Sequence, residues 1–173
     1  MPPQKPGKRP PLQCPVMFLV RDAKPEEFET LWQIDQECFP PGIAYSRREL
    51  KTYILRRTAF TLVAEDRNHA IAGFVVACGG PVGHIITIDV LPAARRAGAG
   101  SLLLQTAENR LLESGSRAVR LETAVDNAPA LSFYKRHGYS VISTSPRYYP
   151  NGVDALVLRK ELGAVLRPAA SAS

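Results

Sequence analysis

Residues 84–101, HIITIDVLPAARRAGAGS, decide the fold of this chain. The stretch begins with an apolar run whose β-branched residues are typical of a strand buried on both faces; they are Ile85, Ile86, Thr87, Ile88 and Val90. Pro92 ends the strand, because proline has no N–H to donate to a neighbouring strand. A basic loop with two glycines follows and leads into a helix. The stretch therefore predicts a buried strand, a turn and a helix start in direct succession.

The loop after this strand is suited to an anionic phosphate group. Gly98 and Gly100 let the backbone come close to a ligand, and the first turn of the helix has amide groups without partners inside the helix. Arg95 and Arg96 add positive charge beside that helix start. The loop is not a P-loop or a dinucleotide fingerprint, because no Lys-Ser pair follows it and Leu103 replaces the third glycine. An ordinary basic turn remains the alternative.

Composition limits the possible classes of protein. The chain has 173 residues, 45% hydrophobic and 22% charged, as expected for one soluble globular domain. No run approaches the roughly 20 apolar residues of a membrane helix, and the N-terminus lacks an apolar signal region. Cys14, Cys38 and Cys78 form an odd set without a C-x-x-C pair, which predicts a reduced, cytoplasmic protein without a structural metal. The net charge of +6 comes without interleaved aromatic residues, so we do not expect nucleic acid as a partner.

Apolar spacing and turn residues predict an α/β chain. The predicted strands cover 16–21, 59–65, 70–79, 84–91, 119–124, 139–143 and 153–158, and the predicted helices cover 24–38, 46–57, 100–114 and 129–137. This order favours a single domain with a mixed sheet over residues 15–162. A Pro-rich basic tail (1–14) and a C-terminal tail (163–173) should be disordered.

A second motif lies two elements further along the chain, in residues 127–139, NAPALSFYKRHGY. Together with Arg95-x-x-Gly98-x-Gly100, it resembles the signatures of the GNAT superfamily of acyl-CoA-dependent N-acetyltransferases. The resemblance covers about residues 19–162. It implies the GNAT fold, in which about four helices pack on a mixed central sheet of about seven strands. It also implies acetyl-CoA as the cofactor that donates the acetyl group.

The resemblance further implies which residues hold the cofactor. The loop amides would take the pyrophosphate, and the loop consists of Arg95, Arg96, Ala97, Gly98, Ala99, Gly100 and Ser101. The strand before it would hold the pantetheine arm through the backbone of Ile88, Asp89 and Val90, with the Val90 amide polarising the thioester carbonyl. Asn127 would hydrogen-bond the arm, and Tyr134 would contact the cofactor and protonate the departing thiolate. Otherwise Tyr134 is a half-buried aromatic residue with a satisfied hydroxyl group.

Glu122 is the predicted base. It alternates with Leu121 on an otherwise apolar strand, where a carboxylate is costly unless it has a role. The chain is most similar to the RimI-like N-terminal acetyltransferases of ribosomal proteins, in which a Glu at this motif position serves as the base. A carboxylate at the sheet surface paired with an arginine is the alternative. Thr123 and Ala124 replace the Val-Arg pair of that family, so a charge near the base is missing.

Two further stretches resemble the peptide groove of N-terminal acetyltransferases. Tyr148 and Tyr149, within the stretch 147–156, would form one wall, and the loop 39–45 would form the other through Phe39, Pro40 and Tyr45. Simple hairpin packing is the alternative for the tyrosines. The acidic residue that some relatives carry in the first loop is absent, so the preferred first residue of the substrate stays open.

These observations predict a cytoplasmic N-acetyltransferase that transfers acetyl to a protein or peptide N-terminal α-amine, a ribosomal protein among the candidates. Attack would be direct, in a ternary complex, with no metal and no membrane. The alternatives are acetylation of a small amine (polyamine, antibiotic or amino acid) or of lysine, and a non-enzymatic acyl-CoA-binding regulatory module. His69, His84 and His137 are interpreted as turn, strand-end and helix-end residues, and the oligomeric state stays open.

Overall fold

A computed structural model describes residues 17–163. Within that range the chain forms strands β1 (Leu19–Asp22), β2 (Ala59–Glu65), β3 (Ile71–Cys78), β4 (Val82–Val90), β5 (Ala118–Ala124), β6 (Ser140–Ser145) and β7 (Ala155–Glu161). Its helices are α1 (Phe28–Cys38), α2 (Arg47–Ile54), α3 (Ala99–Glu113) and α4 (Ala128–Arg136). The predicted seven strands, four helices and mixed α/β class are confirmed. Both predicted tails lie almost wholly outside the described residues.

All seven strands form one sheet in the order β1-β2-β3-β4-β5-β7-β6. Every neighbouring pair is antiparallel except β4 and β5, which α3 connects in parallel. This central pair holds together over three partners only: Val82 with Ala118, Gly83 with Val119, and His84 with Arg120. Beyond His84 the two strands separate, and the sheet opens in its middle. We call the point where pairing ends the vertex, and the gap between 85–90 and 121–124 the opening.

Helices cover both faces of the sheet. The predicted apolar face of α3 is fully buried against one side of the sheet, through Leu103, Leu104, Ala107 and Leu111. Helices α1 and α2 cover the other side, where a second core contains Leu31, Ile34, Leu50, Val63, Phe74 and Val76. The vertex and the opening therefore lie between two packed layers that hold their strands in place.

Strand β4 differs from the prediction of burial on both faces. Its residues alternate between buried and half-buried, and the half-buried ones include Ile86, Ile88 and Val90. The register with β3 also shifts, because Ala77 pairs with Ile85 and Val76 with Thr87, which leaves Ile86 as a bulge. The reason is the missing neighbour: without β5 beside it, the second half of β4 borders an opening.

Local end signals set the boundaries of several elements. Ser46 and Glu49 form the predicted capping box at the start of α2. The predicted helix 24–38 is divided, because Pro25 begins a short 3₁₀ turn (Pro25–Glu27) before α1. Gly115 and Gly138 follow α3 and α4 with positive φ angles of 98° and 88°. None of the helices in the described range is long and apolar enough to cross a membrane.

Candidate active site

The edge of β4 that faces the opening carries backbone groups that no strand takes up. The Leu91 N–H, just past the end of β4, donates to the Ala72 carbonyl on β3, 2.9 Å away. Because alternate residues of a strand direct their backbone groups to opposite edges, the N–H groups of Ile88 and Val90 point into the opening. The same alternation turns the backbone of Asp89 toward β3. Of the three predicted backbone contacts, two therefore face the opening and Asp89 does not.

The basic loop closes the outer end of the opening. The Arg95 Nε donates to the Val90 carbonyl at 2.9 Å, which folds the loop back onto β4. Arg96 and Gly98 have φ angles of 63° and 95°, and Gly98 is the N-cap of α3. The N–H of Leu102 makes the first bond of the helix, to the Gly98 carbonyl. Before it stand the first-turn residues Ala99, Gly100 and Ser101, whose amide positions are the ones that lack helical acceptors.

The two glycines of this loop serve different purposes. A Cβ at Gly100 would lie in ordinary van der Waals contact with the Phe133 ring at 3.5 Å and the Val90 side chain at 3.6 Å, so this position packs against α4 and β4. Gly98 has open space around it and is needed for its positive φ. The Ser101 hydroxyl contacts the His137 Nε2 at 3.0 Å, which ties the start of α3 to the end of α4. These contacts hold the loop at both of its ends. Its other residues, Ala97 and Ala99, have small side chains.

Tyr134 and Asn127 approach the opening from α4. Tyr134 is buried, and its ring packs edge-on against Phe133 and Tyr139, with centroids 5.2 and 5.6 Å away. Burial, with the nearby charges of Asp89 and Tyr149, raises the pKa of the Tyr134 hydroxyl above its ordinary value, so the hydroxyl keeps its proton at neutral pH. Asn127 caps α4 through its Oδ1, which accepts from the Ala130 N–H at 3.2 Å. Its side-chain NH₂ group takes no part in this bond.

Glu122 bridges the vertex rather than standing alone. Its Oε2 lies 2.6 Å from the His84 Nε2 on β4, and its Oε1 accepts from Arg120 Nη1 at 2.9 Å. Burial raises the pKa of Glu122, but the hydrogen bond from His84 and the charges of His84 and Arg120 outweigh it, so the pKa lies below its ordinary value. Glu122 is therefore an ionised carboxylate. Glu122 is paired with an arginine and also lies beside the opening, and its role as the base stays a prediction.

The two predicted walls stand on the α1–α2 side of the sheet and contact each other. In the first wall, the Tyr45 hydroxyl donates to the Ile86 carbonyl at 3.4 Å, and its ring lies 5.1 Å from that of Tyr53. In the second wall, the rings of Tyr148 and Tyr149 pack edge-on at 5.0 Å. The walls meet where a side chain at Gly42 would come within 3.0 Å of the Asn151 Cβ.

The remaining predicted wall residues, Phe39 and Pro40, begin the same loop. Phe39 is half-buried and Pro40 is exposed. The Pro40 carbonyl accepts from the N–H groups of Ile43 and Ala44, so this residue shapes the turn of the first wall.

A buried pair of carboxyl groups underlies the first wall. Asp35 on α1 and Asp89 on β4 are 0% and 1% exposed and lie within hydrogen-bonding reach of each other. Burial raises the pKa of Asp35 to about 6, and burial plus the neighbouring Asp35 charge raises that of Asp89. One oxygen of each, Asp35 Oδ1 and Asp89 Oδ2, has no donor in the described residues. A single proton between the two groups would satisfy both oxygens.

This carboxyl pair joins the substrate side to the cofactor strand. The other Asp35 oxygen, Oδ2, accepts from the Tyr45 N–H at 2.8 Å, and Asp89 Oδ1 accepts from the Thr87 hydroxyl at 2.5 Å. Cys38 lies alongside and donates to the Val90 carbonyl at 3.3 Å. Burial, chiefly, raises the pKa of the Cys38 thiol to about 11, which disfavours the nucleophilic thiolate.

Sequence reasoning missed three of these residues. His84 was assigned to the end of a strand, Asp35 was placed on an amphipathic helix without a role, and only the backbone of Asp89 was considered. His84 and Asp89 carried one signal, a titratable side chain within an apolar run, and Asp35 carried another, an acidic side chain among the apolar positions of a helix face. In residues 17–163, no three His, Cys, Asp or Glu side chains lie together in a group that could hold a metal ion.

Comparison with known proteins identifies relatives of this architecture. The acetyltransferase (GNAT) family model matches residues 28–139, from α1 to the end of the α4 motif. N-alpha-acetyltransferase daf-31 of Caenorhabditis elegans is 27% identical over 151 residues, which span 83% of this chain and 82% of that protein.

Solved structures share the fold. Ard1 from Thermoplasma volcanium superposes with a TM-score of 0.76 at 23% identity, over 84% of this chain and 98% of that one. The ribosomal-protein-S18-alanine N-acetyltransferase of Escherichia coli superposes with a TM-score of 0.74 at 19% identity, over 91% and 99%. At these identities, the likeness to both structures is a likeness of fold.

Proposed function

This chain belongs to the GNAT family of acetyltransferases, and from that premise we propose that it transfers acetyl from acetyl-CoA to the N-terminal α-amine of a protein or peptide. The contact between the two walls, Gly42 against Asn151, is the observation that carries the substrate class. A groove lined with tyrosines beside the opening would suit the end of a chain. The similarity to an N-alpha-acetyltransferase over most of both chains supports the same class.

The residues of the opening fit acetyl-CoA. The start of α3, with Arg95 and Arg96 beside it, suits the pyrophosphate, because orphan amides and positive charge both favour an anion. The free N–H groups of Ile88 and Val90 suit the amide-bearing arm, and the side-chain NH₂ of Asn127 is a further donor. Acetyl-CoA supplies an acyl group activated as a thioester. The cofactor thus occupies the place of the missing strand pairing.

The order of these residues along β4 separates their roles. Val90 lies next to the loop, and Ile88 lies two residues closer to the vertex. An arm that starts at the loop passes Val90 first, so Ile88 is better placed to donate to the thioester carbonyl as its oxygen gains charge. We therefore assign the contact with the thioester carbonyl to Ile88 instead of Val90, and Val90 remains a contact for the arm.

Proton transfer needs one group on each side of the acyl carbon. Tyr134, which keeps its proton at neutral pH, would donate to the leaving sulfur. The amine must lose a proton before it attacks, and an α-ammonium group with a pKa of about 8 loses it far more readily than lysine. Glu122 and its partners at the vertex form the acid–base group on this side. The raised pKa of Cys38 supports direct transfer rather than an acyl-thiol intermediate.

The free thiols of Cys38 and Cys78 support our proposal that the protein works in a reducing compartment, the cytoplasm. Peptides with the N-termini of ribosomal proteins therefore belong in the substrate set, alongside those of other cytoplasmic proteins.

Mass spectrometry of peptides incubated with the full chain and acetyl-CoA tests this function. Each peptide carries an internal lysine, and each is supplied with a free and with a blocked N-terminus. We expect acetyl on the free α-amine and no product from blocked peptides. Acetyl on lysine would reassign the chain as a lysine acetyltransferase. Transfer only to polyamines or aminoglycosides in parallel reactions would establish the small-amine alternative, and acetyl-CoA binding without transfer would leave a binding module.

A further inference from the structure

Side chains of α1 attach the first wall to the domain, and Asp35 is the central one. Asp35 Oδ2 accepts from the Tyr45 N–H at 2.8 Å. The Tyr45 carbonyl accepts from Gln36 Nε2 at 2.8 Å and from Trp32 Nε1 at 3.2 Å. Gln36 Nε2 also donates to Asp35 Oδ2, at 3.0 Å. Three side chains of one helix therefore hold both backbone groups of Tyr45, and we call Trp32, Asp35 and Gln36 the clamp.

The clamp acts on the residue of the first wall whose side chain reaches β4. The Tyr45 hydroxyl donates to the Ile86 carbonyl at 3.4 Å, and the Tyr45 ring lies 5.1 Å from that of Tyr53. Other contacts hold the segments on either side, namely the turn at the Pro40 carbonyl and the capping box at Ser46. Without the clamp, Tyr45 would therefore lose its place while the neighbouring turn and helix kept theirs.

Asp89 keeps Asp35 in the state that the clamp requires. Burial and the charge of Asp35 raise the pKa of Asp89 well above its ordinary value, whereas burial raises the pKa of Asp35 to about 6. At neutral pH Asp89 is therefore the acid and Asp35 the carboxylate. Asp89 Oδ1 accepts from the Thr87 hydroxyl, which leaves Oδ2 to carry the proton and donate to Asp35 Oδ1. The two buried oxygens that lack another donor thus satisfy each other.

The charge on Asp35 strengthens the clamp. A hydrogen bond to an ionised acceptor is roughly twice as strong as a neutral one, and Asp35 is fully buried, where water does not compete. Burying a carboxylate is costly unless donors surround it, and here the donors come from Tyr45, Gln36 and Asp89. The cost is therefore offset by contacts that join the first wall to α1 and β4.

We propose that Asp35 is a positioning residue for the substrate, which acts through the clamp to hold Tyr45 in the wall of the peptide groove. The proposal rests on the function proposed above, acetylation of an α-amine. Because Asp35 is buried beneath the loop, it acts through Tyr45 and not on the peptide itself. Its removal weakens peptide binding and leaves cofactor binding and the chemical step nearly unchanged.

The test compares D35A, D35N and E37A in the full chain, with a peptide that the wild type acetylates. D35A removes the acceptor of the Tyr45 N–H. D35N restores it, because the amide oxygen can accept from Tyr45 while the NH₂ group donates to Asp89. Glu37 lies on the same helix with an exposed side chain, so E37A is the matched control. The measurements are kcat, the peptide KM and the dissociation constant of acetyl-CoA.

We expect D35A to raise the peptide KM about tenfold, while kcat and the dissociation constant of acetyl-CoA change less than about twofold. D35N should return KM to within about threefold of wild type, since the hydrogen bond is restored without the charge. E37A should match the wild type. A D35A variant that loses kcat and keeps its KM would overturn the proposal, and so would a D35N variant as impaired in KM as D35A.

A double-mutant cycle with Tyr45 separates positioning from a general loss of packing. Y45A removes the ring that the clamp holds in place. D35A should therefore raise the peptide KM no further when it is introduced into Y45A, although it raises KM in the wild type. Fully additive effects of the two substitutions would show that Asp35 acts elsewhere and would overturn the proposal.

Two measurements keep the test decisive if D35A does not fold. Gln36 is the exposed member of the clamp, and Q36A should raise the peptide KM about threefold. The Tyr45 amide of the wild type should exchange its hydrogen slowly in the absence of peptide, and faster in Q36A. A Tyr45 amide that exchanges as fast as that of an open loop would overturn the proposal.

Failure of this proposal and failure of the proposed function give different results. If the wild type acetylates no α-amine, the proposed function fails and this proposal with it. If the wild type acetylates an α-amine while D35A and Q36A both keep the wild-type peptide KM, only the assignment of Asp35 fails.

Discussion

A proton shared between Asp35 and Asp89 would tie stability to pH through these two residues. Both pKa values are raised in the folded chain, chiefly by burial, so folding binds a proton that the unfolded chain gives up near pH 4. The associated stability is complete below that pH and is lost as the pH rises through the folded pKa of about 6 for Asp35. We therefore expect the free energy of unfolding to fall by on the order of 2 kcal/mol between pH 4 and pH 8.

D89N removes this dependence. The asparagine NH₂ takes the place of the shared hydrogen and donates to Asp35 Oδ1, while its oxygen still accepts from Thr87. Denaturant unfolding from pH 4 to pH 8 should give a flat profile for D89N, at least as stable as the wild type at pH 8. The exposed Glu113 provides the control E113Q, which should follow the wild type. A D89N profile parallel to the wild type would show that no proton is shared.

Tyr134 makes a prediction about turnover. Y134F keeps the ring contacts with Phe133 and Tyr139 but removes the hydroxyl that would protonate sulfur. We expect kcat to fall about 100-fold, in the range typical of a lost general acid, while acetyl-CoA binds within twofold of wild type. Stopped-time assays and calorimetry measure the two quantities. Y139F, which loses the buried hydroxyl that donates to Glu108, is the control for a general loss of packing. Equal turnover in Y134F would remove it from the mechanism.

At the scale of elements, the basic loop 95–101 contains one residue with a strained backbone conformation, Arg96. Arg96 adopts a φ of 63°, a backbone conformation that favours glycine. An arginine at this position therefore adds positive charge to the loop but strains its backbone. R96A and R96G both remove the charge, but only glycine relieves the strain. We expect R96G to be more stable than R96A by about 1 kcal/mol in thermal unfolding, with equally weakened acetyl-CoA binding. Arg95 has a φ of −64°, which any residue adopts, so R95A should be more stable than R95G.

Elements were predictable from the sequence where their signal is local. The spacing of Leu103, Leu104, Ala107 and Leu111 gave the buried face of α3, and Ser46 with Glu49 gave the start of α2. The bulge at Ile86 and the separation of β4 from β5 were not predictable. Apolar alternation reports that a strand is covered, but it does not report where its hydrogen-bonded neighbour ends.

The residues of the candidate site were likewise predictable only where their signal is local in the sequence. Its loop and its α4 motif are each contiguous in sequence, so spacing and resemblance brought out Gly98, Gly100 and Tyr134. His84, which contacts Glu122, and Asp89, which lies beside Asp35, come from other elements, and the packing that joins these pairs is a property of the assembled fold. Buried titratable residues in apolar runs are the one sign of such pairs, and the sign names the residue without naming its partner.

At the scale of the whole molecule, the proposed peptide groove depends on the contact between two distant segments. The loop 39–45 precedes the family motifs, and the turn with Asn151 follows them, beyond the matched residues 28–139. The groove would therefore depend on contact between the N-terminal and C-terminal parts of the domain across the opening. The basic loop 95–101 belongs to neither of the two segments that make this contact. Substrate affinity and cofactor affinity should respond to different substitutions.

The contact of Gly42 with Asn151 tests this separation. A methyl group at Gly42 would approach the Asn151 Cβ to 3.0 Å at a φ of 86°, so G42A must push the walls apart as well as strain the loop. G152A is the matched control, since Gly152 has a φ of 82° and open space around it. We expect G42A to raise the peptide KM about tenfold more than G152A does, with both variants binding acetyl-CoA as the wild type does. Steady-state kinetics with calorimetry measures this. If both variants raise KM equally, backbone strain alone is responsible and the two segments do not form one groove.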